Sequence, residues 1–231
     1  MRRTFAPVFL TAAMHATLEA EATEIARSGS GLAQEAHRAA VVTAIVCSVM
    51  YLEATVNELF QEAVDGPGTL PGARGSLVDR LRSVPDVAVA AMRQERQTPN
   101  GGGHVDVLER LQRLSELAGH PRLDTGRGAY QRAHLVVELR DHLAHFRPEW
   151  VAIDTTNRLS RRLRSYRIEP NPLVGPGPSA PRWPDRQLSG SLARWCCLVA
   201  IDLVNDTAER LHVDIVPPPW PTTSGTDGRD F

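Results

Sequence analysis

Residues 33–64 read AQEAHRAAVVTAIVCSVMYLEATVNELFQEAV, and the placing of their apolar side chains decides the fold. Ala33, Ala36, Ala40, Val41, Ala44, Ile45, Val49, Leu52, Val56, Leu59, Phe60 and Ala63 recur at intervals of three and four. That is the period of one face of an α-helix, sustained over the whole stretch. Upstream, the Ala- and Glu-rich segment from Val8 to Arg27 predicts a second helix, stopped by Ser28-Gly29-Ser30-Gly31. A connection this short makes the two helices antiparallel neighbours.

The same reading continues outward along the chain. Leu77 to Glu95 predicts one or two short helices interrupted at Pro85, between loops at 65–75 and 98–103. Val105 to Leu117 keeps helical spacing and is ended by Gly119 and Pro121. Further helices are expected over Ala129–Phe146, closed by Pro148, over Asn157–Arg167, and over Asp185–Leu211 after a Pro-rich linker at 170–184. No strand-like alternation interrupts this series. The expected fold is all-α: an antiparallel helical bundle over residues 1–212 as a single domain, with a C-terminal helix. A flexible Pro-rich tail is expected over 213–231.

Composition narrows the classes of function. The 231 residues carry 26 Lys plus Arg against 27 Asp plus Glu, so a net charge of −1 leaves no global attraction for nucleic acid or membrane, and any polyanion site must be local. All of the cations are arginine. With 42% hydrophobic and 5% aromatic residues, the core must be built from Leu, Val, Ile and Ala. Cys47, Cys196 and Cys197 show no metal spacing and cannot all pair, which reads as a reducing cytoplasm. The start Arg2-Arg3-Thr4-Phe5 is similar to a twin-arginine leader, but Pro7 interrupts it and no small-x-small cleavage site follows. The uncharged run from Ala39 to Leu52 falls short of the ~20 residues a bilayer requires and reads as a buried helix. No cofactor, metal or membrane is expected.

The segment with chemistry in it is Tyr130 to Trp150, YQRAHLVVELRDHLAHFRPEW. On a helix, Leu135, Leu139, Leu143 and Phe146 share an apolar face with His142, which reads as a core histidine. Ala133, Val137, Arg140 and Ala144 make a second, flat face, so the helix is sandwiched, either within its own chain or against a second copy. Between the faces runs a polar stripe, His134, Glu138, Asp141 and His145. A solvated face with local ion pairs is the plain explanation. The sharper one concerns Arg140 and His145: a guanidinium offers forked donors for phosphate, and an imidazole moves protons near neutral pH.

Arg140-Asp141-x-x-x-His145 resembles the motif of the HEPN superfamily, an Arg followed by Asn, Asp or His and then by a His near the end of a bundle helix. Leu139 before it and Phe146, Pro148 and Trp150 after it agree with that likeness. So does Leu52-Glu53-Ala54-x-x-Asn57-Glu58-Leu59-Phe60 on the long helix. The resemblance implies an all-helical homodimer that cuts RNA without metal, in defence or toxin–antitoxin systems where an antitoxin or other protein partner controls it. It also implies the alternative that some members are non-catalytic modules binding a nucleotide or a protein. Asp141 stands where Asn is commoner.

On this reading His145 handles protons, Arg140 holds the phosphate, and Asp141 orients His145 or pairs with an arginine. Glu53 and Asn57, one turn apart, brace the motif helix, with His142 in support. Residues five apart point about 140° away from each other on a helix, so one copy makes an awkward site and two copies across a twofold axis can converge. From Met1 to Asp65 four arginines face eight acids, whereas from Arg140 to Arg167 seven arginines face three. Arg147, Arg158, Arg161 and Arg162 in this basic stretch are the candidate RNA-binding residues. A bundle metal site using His134, Glu138, Asp141 and His145 is a third reading, for which the usual Glu-x-x-His spacing is lacking.

Overall fold

The computed structural model describes residues 4–26, 31–65, 80–81, 83–97, 106–126, 128–145, 158–175 and 183–221. Among them the chain forms α1 (Ala6–Ala26), α2 (Gly31–Asp65), α3 (Asp86–Gln97), α4 (Val107–Leu117), α5 (Gly128–Ala144), α6 (Arg158–Leu163) and α7 (Gly190–Leu211), and no strand. The protein is an all-α helical bundle. The 35-residue α2 is its common wall, packed against α1, α3, α4, α5 and α7.

The antiparallel pairing of α1 and α2 is pinned at both ends by polar contacts. At one end the Glu58 carboxylate accepts the backbone N–H groups of Phe5 (2.7 Å) and Ala6 (2.9 Å), satisfying donors that the first turn of α1 leaves open. At the other end buried His37 meets Glu24 at 2.8 Å, and Glu24 also accepts the N–H of Gly190 (2.7 Å) at the start of α7. Small residues between these pins, Ala13, Ala16 and Ala20 on α1 and Ala40 and Ala44 on α2, allow close approach. A Cβ on Gly190 would lie 2.6 Å from Glu21 Cγ, so glycine is what lets α7 begin against α1. Leu10, Met14, Ile45, Leu52, Leu59, Leu108, Leu111, Leu114, Leu135 and Leu139 fill the centre. Cys196 and Cys197 are buried there too, as core residues, and burial pushes both thiols up.

Several boundaries differ from expectation, each for a local reason. α7 starts at Gly190 rather than Asp185, because the Pro184 carbonyl accepts Gln187 N (2.9 Å) and Leu188 N (3.0 Å) in a separate turn. Extended Ser189 then caps the helix through Leu192 N (3.1 Å). α6 is shorter than the expected 157–167 and passes into a 3₁₀ turn at Arg164–Tyr166, ended by Arg167 at φ 54°. The linker is partly anchored: Asn171 donates to the Asp185 carbonyl (3.1 Å) and accepts Leu173 N (2.9 Å). The tail expected to be free is docked as far as Pro221, with Val213 buried, Trp220 packed on the core and the Arg194 guanidinium 4.6 Å from the Trp220 ring. α2 has the length and composition to cross a membrane, but 56% of its apolar window is buried inside the bundle.

Tyr51 on α2 shows how the wall is sealed. Burial pushes its hydroxyl from an ordinary value of 10.0 up to about 12, with nearby Arg80 opposing and Glu58 adding to the shift. A raised folded-state pKa means that Tyr51 costs no stability below pH ~10, where both states are protonated. Between about pH 10 and 12 the unfolded chain loses its proton first, and stability falls by roughly 2–3 kcal/mol. Urea unfolding across this range should show the loss in the native protein and a smaller one in Tyr51→Phe; parallel profiles for the two would refute the assignment.

Candidate active site

α5 owes its position to a clamp before it and to packing along it. Buried Gln112 of α4 donates to the Leu123 carbonyl (3.0 Å) and accepts Leu123 N (2.5 Å), fixing the loop that leads into α5. Leu135, Val136 and Leu139 are then buried, and α5 packs against α2, α7 and α6. The two-sided sandwich expected from the sequence is therefore filled from within the same chain. The helix closes with His145 N donating to the Asp141 carbonyl (3.0 Å), which leaves Ala144 and His145 exposed at its end.

Arg140 lies across the groove between α5 and α2. Its Nη2 donates to Glu53 Oε1 at 2.8 Å, and its Nε sits 2.9 Å from Asp141 Oδ1 at an angle outside hydrogen-bond geometry. Asp141 thus pairs with Arg140 and not with His145. One turn further along α2, Asn57 Oδ1 accepts Arg110 Nη1 at 2.7 Å, and the Arg110 guanidinium stands 5.6 Å from the Phe60 ring centre. Burial and the neighbouring charge of Arg96 pull Arg110 below the usual guanidinium range, while Glu53 pulls the other way. Glu53 and Asn57 do brace this region, but on different partners: Glu53 holds the motif arginine and Asn57 holds α4.

Arg110 and Arg96 were missed in the sequence, though Arg110 left a trace. It lies three residues after Val107 and four before Leu114, a cation in an apolar-stripe position, which calls for a partner on the facing helix. Glu58, inside the quoted motif, caps α1 and meets Arg80 Nη2 at 3.2 Å. His142 accepts a hydrogen bond from Trp183 Nε1 at 3.1 Å, so it is a satisfied, half-buried packing residue. Glu138 pairs with Arg162 of α6 and lies 3.8 Å from His134 Nδ1. Arg158 and Arg161 are exposed, and Arg147 lies outside the described residues.

Arg140, in the C-terminal half of α5, and His145, in the turn that ends it, therefore both reach the surface, but no contact joins them within the chain. Among the described residues no three His, Cys, Asp or Glu side chains come together as a metal site, so the third reading has no ligand set there. No family model, curated protein or solved structure matches this chain.

The pair is partly solvated, Arg140 being 26% and Glu53 39% exposed, so screening keeps its coupling modest. A double-mutant cycle with Glu53→Gln and Arg140→Met should return a coupling of about 0.5–1 kcal/mol in urea unfolding. A coupling indistinguishable from zero would mean that the contact does not hold α5 to α2.

Proposed function

We propose that this protein is a metal-independent endoribonuclease of the HEPN type, whose cleft is completed by a second copy of the chain. The observation that carries the reading is that His145 is exposed and Arg140 half-buried, its side chain still reaching solvent, at one end of a helix that is otherwise buried on two sides. The motif resemblance supplies the reaction class, and the geometry is compatible with its demands.

Cleavage through the 2′-hydroxyl needs a base for that hydroxyl, an acid for the leaving 5′-oxygen and a cation for the phosphate. One His145 takes the 2′-hydroxyl proton as that oxygen attacks phosphorus. A protonated His145 from the second copy delivers a proton to the 5′-oxygen as its bond to phosphorus breaks, leaving a 2′,3′-cyclic phosphate and a 5′-hydroxyl. Arg140 steadies the phosphate through Nη1, which has no partner among the described residues, while Glu53 and Asp141 hold the rest of the guanidinium. In the setting implied by the resemblance, defence or toxin–antitoxin control, a protein that covers the end of α5 would switch the enzyme off.

One observation favours the non-catalytic alternative, a dimeric module that binds a nucleotide or protein partner. Two carboxylates already stand against Arg140, reducing the charge it can offer to a phosphate.

Incubation of single-stranded RNA with the protein in excess EDTA separates the two. The nuclease reading predicts cleavage with cyclic-phosphate ends, reduced about 10²–10⁴-fold by His145→Ala and comparably by Arg140→Ala. Intact RNA, or cleavage unchanged in both variants, removes the nuclease reading, and binding of a nucleotide or protein partner with the RNA intact selects the alternative.

A further inference from the structure

At the opposite end of α5 from His145, the first two turns of that helix, α6 and the following 3₁₀ turn enclose an open cleft of about 510 Å³. This is within the size range of small-molecule sites, roughly 300–1,000 Å³. Its wall has a composition that bundle packing does not require: two arginines, Arg158 and Arg162, one histidine, His134, and two tyrosines, Tyr130 and Tyr166.

The groups are held in different ways. Arg162 is anchored on the wall by Glu138, one turn along α5 from His134. Arg158 is exposed and has no carboxylate partner among the described residues, leaving its donors for an anion from solvent. Tyr166 is braced by Trp195, their ring centres 5.1 Å apart, and Tyr130 rests against the core. Two fixed aromatic rings beside two guanidinium groups provide a stacking surface and a phosphate clamp in one cleft. With Glu138 as the nearby acid, the two guanidinium charges leave a positive balance.

We infer that this cleft binds a nucleoside monophosphate unit, with the base against Tyr130 or Tyr166 and the phosphate on Arg158 and Arg162. The side chain of Gln131, also on the wall, offers both a donor and an acceptor to a base edge. The site stands whether or not the protein cuts RNA. It divides the basic stretch: Arg158 and Arg162 line the cleft, whereas Arg161 points elsewhere on the surface. His134 and His145 are eleven residues apart on α5, about 16 Å along its axis, so the cleft and the proposed cleavage site are distinct.

The unit could come from a free nucleotide or from one residue of a single strand, and titration calorimetry on the full chain at low salt distinguishes them. AMP, adenosine, inorganic phosphate and a short oligoadenylate are the probes. The inference expects saturable binding of AMP or of the oligonucleotide, at least about tenfold weaker binding of adenosine and phosphate alone, and a similar loss in Arg158→Ala with an unchanged helical circular dichroism spectrum. AMP binding identifies the free nucleotide as a sufficient ligand; oligonucleotide binding without AMP binding identifies the strand. Binding of neither overturns the inference. So does binding that survives Arg158→Ala and is lost in Arg140→Ala, because the ligand would then sit at the other end of α5.

Discussion

The motif arginine and the helices beside it are held from α2. A 35-residue helix touched by five others cannot leave a charge on its inner faces without a partner, because a half-buried carboxylate or guanidinium loses water that must be replaced. Along its second half three polar side chains meet that demand from different directions. Glu53 takes Arg140 of α5, Asn57 takes Arg110 of α4, and Glu58 takes the start of α1 together with Arg80. These contacts tie α4 and α5 to the wall alongside their apolar packing. The surface that results has Arg140 beside His145's end of the helix and a polar cleft at the other.

Much of the architecture was legible because helical periodicity is a local property. The long helix expected over 33–64 is Gly31–Asp65, and the motif helix expected from Ala129 begins at Gly128. The stop at Gly119 is seen as a residue at φ 82° just past α4. The errors lie where tertiary contact overrides local pattern. The Pro184 turn and the Ser189 cap delayed α7, and packing of Trp220 tied down a Pro-rich tail whose composition reads as free.

The candidate site was legible in part for the same reason. Arg140, Asp141 and His145 lie on one helix, so their spacing could be read directly, and the brace from Glu53 followed from its face on α2. The partner of Asp141 could not be read: the carboxylate had Arg140 and His145 within reach on the same helix and took the arginine. Arg110, the Gln112 clamp and the pairing of Arg162 with Glu138 each depend on which helices become neighbours. Single-sequence periodicity does not carry that. The cleft was illegible as well, since it joins two turns of α5 to residues more than twenty positions away.

In the proposed account the two ends of α5 have separate tasks, nucleotide recognition at one and proton transfer at the other, and the second requires two copies. Titrating active protein with an excess of the Arg140→Ala/His145→Ala double variant, after time for subunit exchange, tests that requirement most directly. If the crevice is shared, RNA cleavage per active subunit falls as mixed dimers replace native ones. If cleavage per active subunit stays constant while mixed dimers are shown to form, each copy works alone and the shared-crevice account is contradicted.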